Sequence, residues 1–128
     1  MTAILDTHAF IWLMTDDHRL SKASKEFFLN RSNDVILSIA SVWEMAIKAS
    51  LKKLALPLSV KDYIATRTRV NGIGILNVSL DHVTAVESLP FFHKDPFDRL
   101  IIAQSILEQL PILTNDRGFH PYPVELIW

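Results

Sequence analysis

Five short apolar runs separated by helical patterns restrict the fold of this chain more than any other feature of it. The runs are Ala3–Leu5, Val35–Leu37, Ile75–Val78, Ile112–Leu113 and Val124–Ile127. None shows the strict apolar-polar alternation of a strand with one solvated face, so they read as strands buried on both faces. Helical patterns lie between them at Thr7–Met14, Ser21–Asn30, Ser41–Leu54, Ser59–Asn71, Asp81–Leu89 and Pro96–Leu110, with Gly72, Pro90 and Pro111 as stop signals. Strand and helix alternating in this order predict an α/β chain: a three-layer α/β/α sandwich around a central parallel sheet. A length of 128 residues, about half of them apolar, fits one domain spanning 1–128.

The charge balance narrows the function classes. Thirteen Lys and Arg against fourteen Asp and Glu exclude a polycation that coats nucleic acid, so any such binding must be local. With no cysteine, disulfides, thiolate metal sites and thiol catalysis are excluded. The start, MTAILDTHAF, lacks the basic and apolar segments of a signal peptide. Val35 to Ile47, the longest apolar stretch, is interrupted by Glu44 and is too short to cross a bilayer. A soluble cytoplasmic protein without a membrane partner is the expectation.

Ligands of a parallel α/β sheet sit outside the carboxyl ends of its strands, and four acids map there. Asp6 directly follows the first strand, and Asp116 follows the fourth through Thr114 and Asn115. Glu44 falls near the start of the helix after the second strand, and Asp98 in the first turn of the helix before the fourth. Carboxylates brought together repel one another and need a counter-ion. A hard divalent cation, Mg2+ or Mn2+, suits an all-oxygen set and gives it phosphodiester chemistry.

Each acid also has an ordinary explanation. Asp6 reads as a cap for the helix at Thr7. Ser41-Val42-Trp43-Glu44 matches a capping box, with Glu44 in a solvated ion pair with Lys48. Asp95-Pro96-Phe97-Asp98 reads as cap, first-turn proline and dipole-compensating acid. Asn115-Asp116-Arg117-Gly118 reads as a turn. The joint placement on one sheet edge favours a shared site.

The blocks Ile4-Leu5-Asp6-Thr7, Ser41-Val42-Trp43-Glu44, Asp95-Pro96-Phe97-Asp98-Arg99-Leu100-Ile101-Ile102-Ala103 and Ile112-Leu113-Thr114-Asn115-Asp116, with Tyr122-Pro123-Val124 running to Ile127-Trp128, resemble the PIN domains, and within them the VapC-type toxins of toxin–antitoxin pairs. The resemblance covers essentially the whole chain. It implies about five parallel strands in the order 3-2-1-4-5, Mg2+- or Mn2+-dependent endoribonuclease activity on RNA, homodimerisation, and inhibition by a cognate antitoxin protein. By this similarity Asp6 and Asp98 hold the metal directly, and Glu44 and Asp116 complete the site. The Thr114 hydroxyl orients Asp116 or a water on the ion. The chain departs from many family members in carrying His8 where they have Asn, which leaves that position without an assigned role.

Arg99, Lys48, Lys52 and Arg117 stand nearest the acids in sequence and are candidates for holding RNA phosphates. His8, His93 and His120 lie close to the motifs, but no metal-ligand spacing links them, and they stay outside the expected site. The helical aromatics Phe10, Trp12, Phe27, Phe28, Trp43 and Phe97 read mostly as core. AFIWLM in the first helix is apolar all round, which calls for complete burial or a second chain. Two other classes compete: a response-regulator receiver, which lacks here its adjacent acids and terminal Lys, and a non-catalytic PIN-like binding module. Among nucleases the alternative is a structure-specific DNA enzyme.

Overall fold

The computed structural model describes residues 1–128, and its parallel sheet has the order β3-β2-β1-β4-β5. In chain order the elements are β1 (Thr2–Leu5), α1 (Thr7–Met14), α2 (Lys22–Leu29), β2 (Asp34–Ser38), α3 (Ile39–Ser50) and α4 (Val60–Asn71). There follow β3 (Gly74–Leu76), α5 (Leu80–Ala85), a 3-10 turn at Val86–Ser88, α6 (Pro96–Glu108), β4 (Ile112–Leu113), a 3-10 turn at Arg117–Phe119 and β5 (Leu126–Ile127). All four strand pairings are parallel. The α/β fold and the strand order are those expected.

The central strand explains the missing alternation. Ala3 and Leu5 point into one apolar cluster with Phe10, Met45 and Tyr63, whereas Ile4 points into another with Ile101, Ile102 and Phe119. Successive side chains of a strand face opposite sides, so both sides of β1 must be apolar. Helices α1, α3 and α4 supply the first cluster, and α6 dominates the second. No helix is long and apolar enough to cross a membrane.

Helix starts follow local chemistry, with one difference from expectation. Ser21, Ser59, Ser79 and Asp95 cap their helices through side-chain oxygens that accept backbone N–H bonds. The capping box expected at Ser41 is absent, because α3 begins earlier and Ser38 is its cap. Ser38 Oγ accepts from Ala40 N (3.0 Å) and pairs with Gln104 Oε1 across the sheet. Ser41 and Glu44 therefore lie inside the helix and are buried. Helix α1 is buried at Ala9 and Phe10 and only half-buried from Ile11 to Met14. Trp43 is not core: it is exposed and meets Phe97 edge to face.

Candidate metal centre

At the carboxyl end of β1 the chain turns into α1 through Asp6, whose carboxylate serves two elements at once. Its Oδ1 caps α1 by accepting the Ala9 N–H at 2.6 Å, and its Oδ2 accepts the hydroxyl of Thr114. The Thr114 oxygen in turn accepts the N–H of Asp116 at 3.0 Å. One threonine thus ties the ends of the adjacent strands β1 and β4 together. The Asp6 carboxyl is pushed above the ordinary range by burial, against the pull of its bonds from Thr114 and Ala9.

Glu44 reaches the same edge from the second turn of α3. It is 4% exposed, so its pair with Lys48, at 2.6 Å, is buried on the acid's side rather than solvated. Its other oxygen accepts the hydroxyl of Thr7 at 2.7 Å, and that hydroxyl also lies 2.9 Å from Ser41 Oγ.

Asp98 stands in the first turn of α6, where Asp95 Oδ1 accepts the N–H groups of Phe97 and Asp98. Its carboxyl is pushed up to about 8, first by burial and then by the negative charges of Asp95, Glu44, Asp6 and Asp116. Burial and the surrounding carboxylates both disfavour the charged form. No Lys or Arg forms an ion pair with Asp6, Asp98 or Asp116. Hard oxygen donors with unbalanced negative charge fit a divalent cation, which Asp98 and Asp116, whose oxygens lie within 4.8 Å of each other and of the His93 ring nitrogen, would hold with Asp6 and Glu44 nearby.

A residue outside the expected set completes the cluster. His93 Nε2 lies 3.0 Å from Asp98 Oδ2 and 3.5 Å from Asp116 Oδ2. Both contacts are within ion-pair distance, yet neither meets hydrogen-bond geometry, so the buried Nε2 has no bonded partner. The opposite nitrogen, Nδ1, accepts the N–H of Asp95 at 3.2 Å. A neutral ring accepting at Nδ1 carries its proton on Nε2, so His93 faces the acids with an N–H rather than a lone pair. The ring also stands edge-on to Phe119, at 5.6 Å between centroids. The one clue in sequence is position: His93-Lys94 directly precedes Asp95-Pro96-Phe97-Asp98.

Arg99 requires a correction. It is not poised for phosphate, being 4% exposed and turned away from the acids. Its guanidinium donates to the carbonyls of Pro90, His93, Val86 and Leu89, and lies 4.1 Å from the Phe91 ring centroid. It is a strut for the loop that carries His93. Lys48 is half-buried on Glu44, and Arg117 is exposed on the turn after Asp116. Lys52 lies beyond the end of α3 in a left-handed conformation, φ 58°, and borders a hollow with Leu56 and Leu58.

A parallel sheet of order 3-2-1-4-5 with acids gathered where its central strands end is the architecture of a PIN-type α/β domain. Residues 3–124 match the PIN domain family, and the chain belongs to it. It is similar to ribonuclease VapC22 of Mycobacterium tuberculosis (strain ATCC 25618 / H37Rv), with 29% identity over 133 residues, 99% of this chain and 98% of that protein. The fold matches that of VapBC2 from Rickettsia felis, solved bound to a DNA fragment from its promoter, with a TM-score of 0.71 at 16% identity, covering 98% of this chain and 97% of that one. It also matches a toxin–antitoxin complex from Klebsiella pneumoniae, with a TM-score of 0.63 at 21% identity, covering 94% and 92%.

Proposed function

We propose that this chain is a metal-dependent endoribonuclease, the toxin of a toxin–antitoxin pair, and that Asp6, Glu44, Asp98 and Asp116 form its centre. The observation that carries the reading is the gathering of acids at the sheet edge with no Lys or Arg paired to Asp98, whose carboxyl is pushed up to about 8 first by burial and then by the neighbouring carboxylates. Membership of the PIN family and similarity to a protein named as a ribonuclease supply the substrate class. The toxin–antitoxin neighbour supplies the partner class.

When bound, Mg2+ or Mn2+ would lower the pKa of the attacking water and offset charge on the phosphate oxygens. The chain's own part is to hold the carboxylates. Thr114 and the Ala9 N–H fix Asp6, Thr7 and Lys48 fix Glu44, and the His93 ring stands against Asp98 and Asp116. Attack by water on phosphorus, with departure of the 3′ oxygen, leaves 5′-phosphate and 3′-hydroxyl ends. The same acids attract the Arg or Lys of an antitoxin tail, and the half-exposed end of α1 offers it or a second copy an apolar seat. The protein would act in the cytoplasm as a homodimer.

The test is cleavage of single-stranded RNA. EDTA should abolish it, Mg2+ or Mn2+ should restore it, and products should carry 5′-phosphates. Cleavage that survives EDTA and leaves 2′,3′-cyclic phosphates would overturn the mechanism in favour of histidine acid–base chemistry.

A further inference from the structure

Beside the acids lie two hollows that share a wall. The first, about 230 Å3, is lined by Asp6, His8, Trp12, Arg19, Asn115 and Asp116. The second, about 310 Å3, includes Lys48 and Lys53 in its lining, and His8, Trp12 and Arg19 border it too. These three side chains line both hollows, with Asp6 and Asp116 on one side and Lys53 on the other.

Their chemistry is that of a stacking shelf. The Arg19 guanidinium lies over Trp12, 4.8 Å from the ring centroid. Two of its five donors are taken by Asp17, from Nε at 3.0 Å and from Nη2 at 2.8 Å, and Asp17 Oδ1 also accepts the Arg19 backbone N–H at 2.9 Å. That fork braces the guanidinium and fixes its plane. The side chain is nevertheless 58% exposed. Trp12 is backed on another side by Trp128, edge to face at 5.8 Å, and the exposed His8 ring stands 5.7 Å from it. A braced planar cation with a solvent-facing surface, between the acids Asp6 and Asp116 and the cation Lys53, matches what an unpaired nucleobase stacks on.

We propose that Arg19, backed by Trp12 and flanked by His8, is a binding subsite for one unpaired base next to the cleaved phosphate, with Lys53 receiving the backbone beyond it. The proposal rests on the ribonuclease reading above and adds to it the requirement for a single strand at that nucleotide. A base held in a duplex cannot reach the shelf.

The experiment measures Mn2+-supported cleavage of a single-stranded RNA oligonucleotide and of copies abasic at each position around the cut bond. Wild type, Arg19→Lys and His8→Ala are compared, with melting temperatures and Mn2+ calorimetry as controls. Wild type should lose about tenfold in kcat/KM when one particular flanking base is missing, in keeping with the strength of base stacking on planar side chains. Arg19→Lys keeps the charge and loses the plane, so it should raise KM about tenfold on the intact oligonucleotide and become indifferent to that abasic position. His8→Ala should do the same more weakly, and Arg19→Lys should leave Mn2+ affinity unchanged. If wild type cuts RNA and both variants discriminate the abasic copies as it does, the shelf is overturned and the nuclease reading stands. If wild type cuts no RNA, both fall. Variants that lose a protein partner while keeping abasic discrimination would reassign the surface to protein docking and overturn the proposal.

Discussion

A methyl group added at Gly118 would stand 2.7 Å from Cδ2 and 2.8 Å from Nε2 of the His93 ring. Gly118 has no left-handed backbone to protect, so its requirement comes from the ring above it. Gly118→Ala should displace His93 and loosen Asp98 and Asp116, weakening Mn2+ binding about tenfold, the low end for residues that orient metal ligands. Unfolding free energy should change by less than about 1 kcal/mol. Calorimetry with Mn2+ and urea unfolding check both, and His93→Gln, which keeps a donor, should lose less metal affinity than His93→Ala.

The raised carboxyl of Asp98 gives stability a definite pH dependence. A folded value near 8 against an unfolded value of roughly 4 means that the folded protein binds the extra proton throughout that interval. Stability without metal is therefore greatest below about pH 4 for this group and falls as pH rises toward 8. Asp98→Asn removes this loss and should make metal-free protein at pH 8 more stable, on the order of 2 kcal/mol, while abolishing cleavage. Thermal unfolding in EDTA at pH 5 and pH 8 measures it. Added Mn2+ should raise the wild-type Tm more than the variant's.

Arg99 makes the opposite kind of prediction. It satisfies four backbone carbonyls with a planar fork that an ammonium group cannot reproduce. Arg99→Lys should cost about 2–4 kcal/mol in urea unfolding, since several buried acceptors lose their partners. In protein that remains folded at low temperature, KM for RNA should stay within about twofold. A large rise in KM with unchanged stability would return Arg99 to the substrate.

Thr114 separates shape from hydrogen bonding. Thr114→Val keeps the volume and removes the hydroxyl that links Asp6 to the Asp116 N–H. Mn2+ affinity should fall about 10- to 100-fold, and Thr114→Ser should restore most of it. Full affinity in Thr114→Val with a loss in Thr114→Ser would mean that the methyl group, not the hydroxyl, matters.

Much of the architecture is legible because local and long-range signals agree. Leu5-Asp6-Thr7 reads as strand, cap and helix, and Asp95-Pro96-Phe97-Asp98 as the start of α6; both occur so. A helix cap can also reach across the sheet edge, since Asp6 gives one oxygen to the Ala9 N–H and the other to the Thr114 hydroxyl. Ser41 misleads as a cap because Ser38 is held by Gln104, 66 residues away. Arg99 misleads because adjacency in a helix is not shared direction: consecutive residues point about 100° apart. His93 has no spacing signature, since its position depends on a loop that Arg99 fastens from inside.

The two carboxylates that meet across β1 and β4 belong to opposite ends of the chain, with Thr114 bonding Asp6 over 108 residues. Synthesis delivers β1 before β4, and β1 pairs with β4 only once Ile112 and Leu113 are available. A growing polypeptide therefore carries Asp6, Glu44 and Asp98 without the strand that joins them to Asp116. The proposed centre comes into being only after β4 has been made, so a chain stopped short of that strand lacks the assembled site.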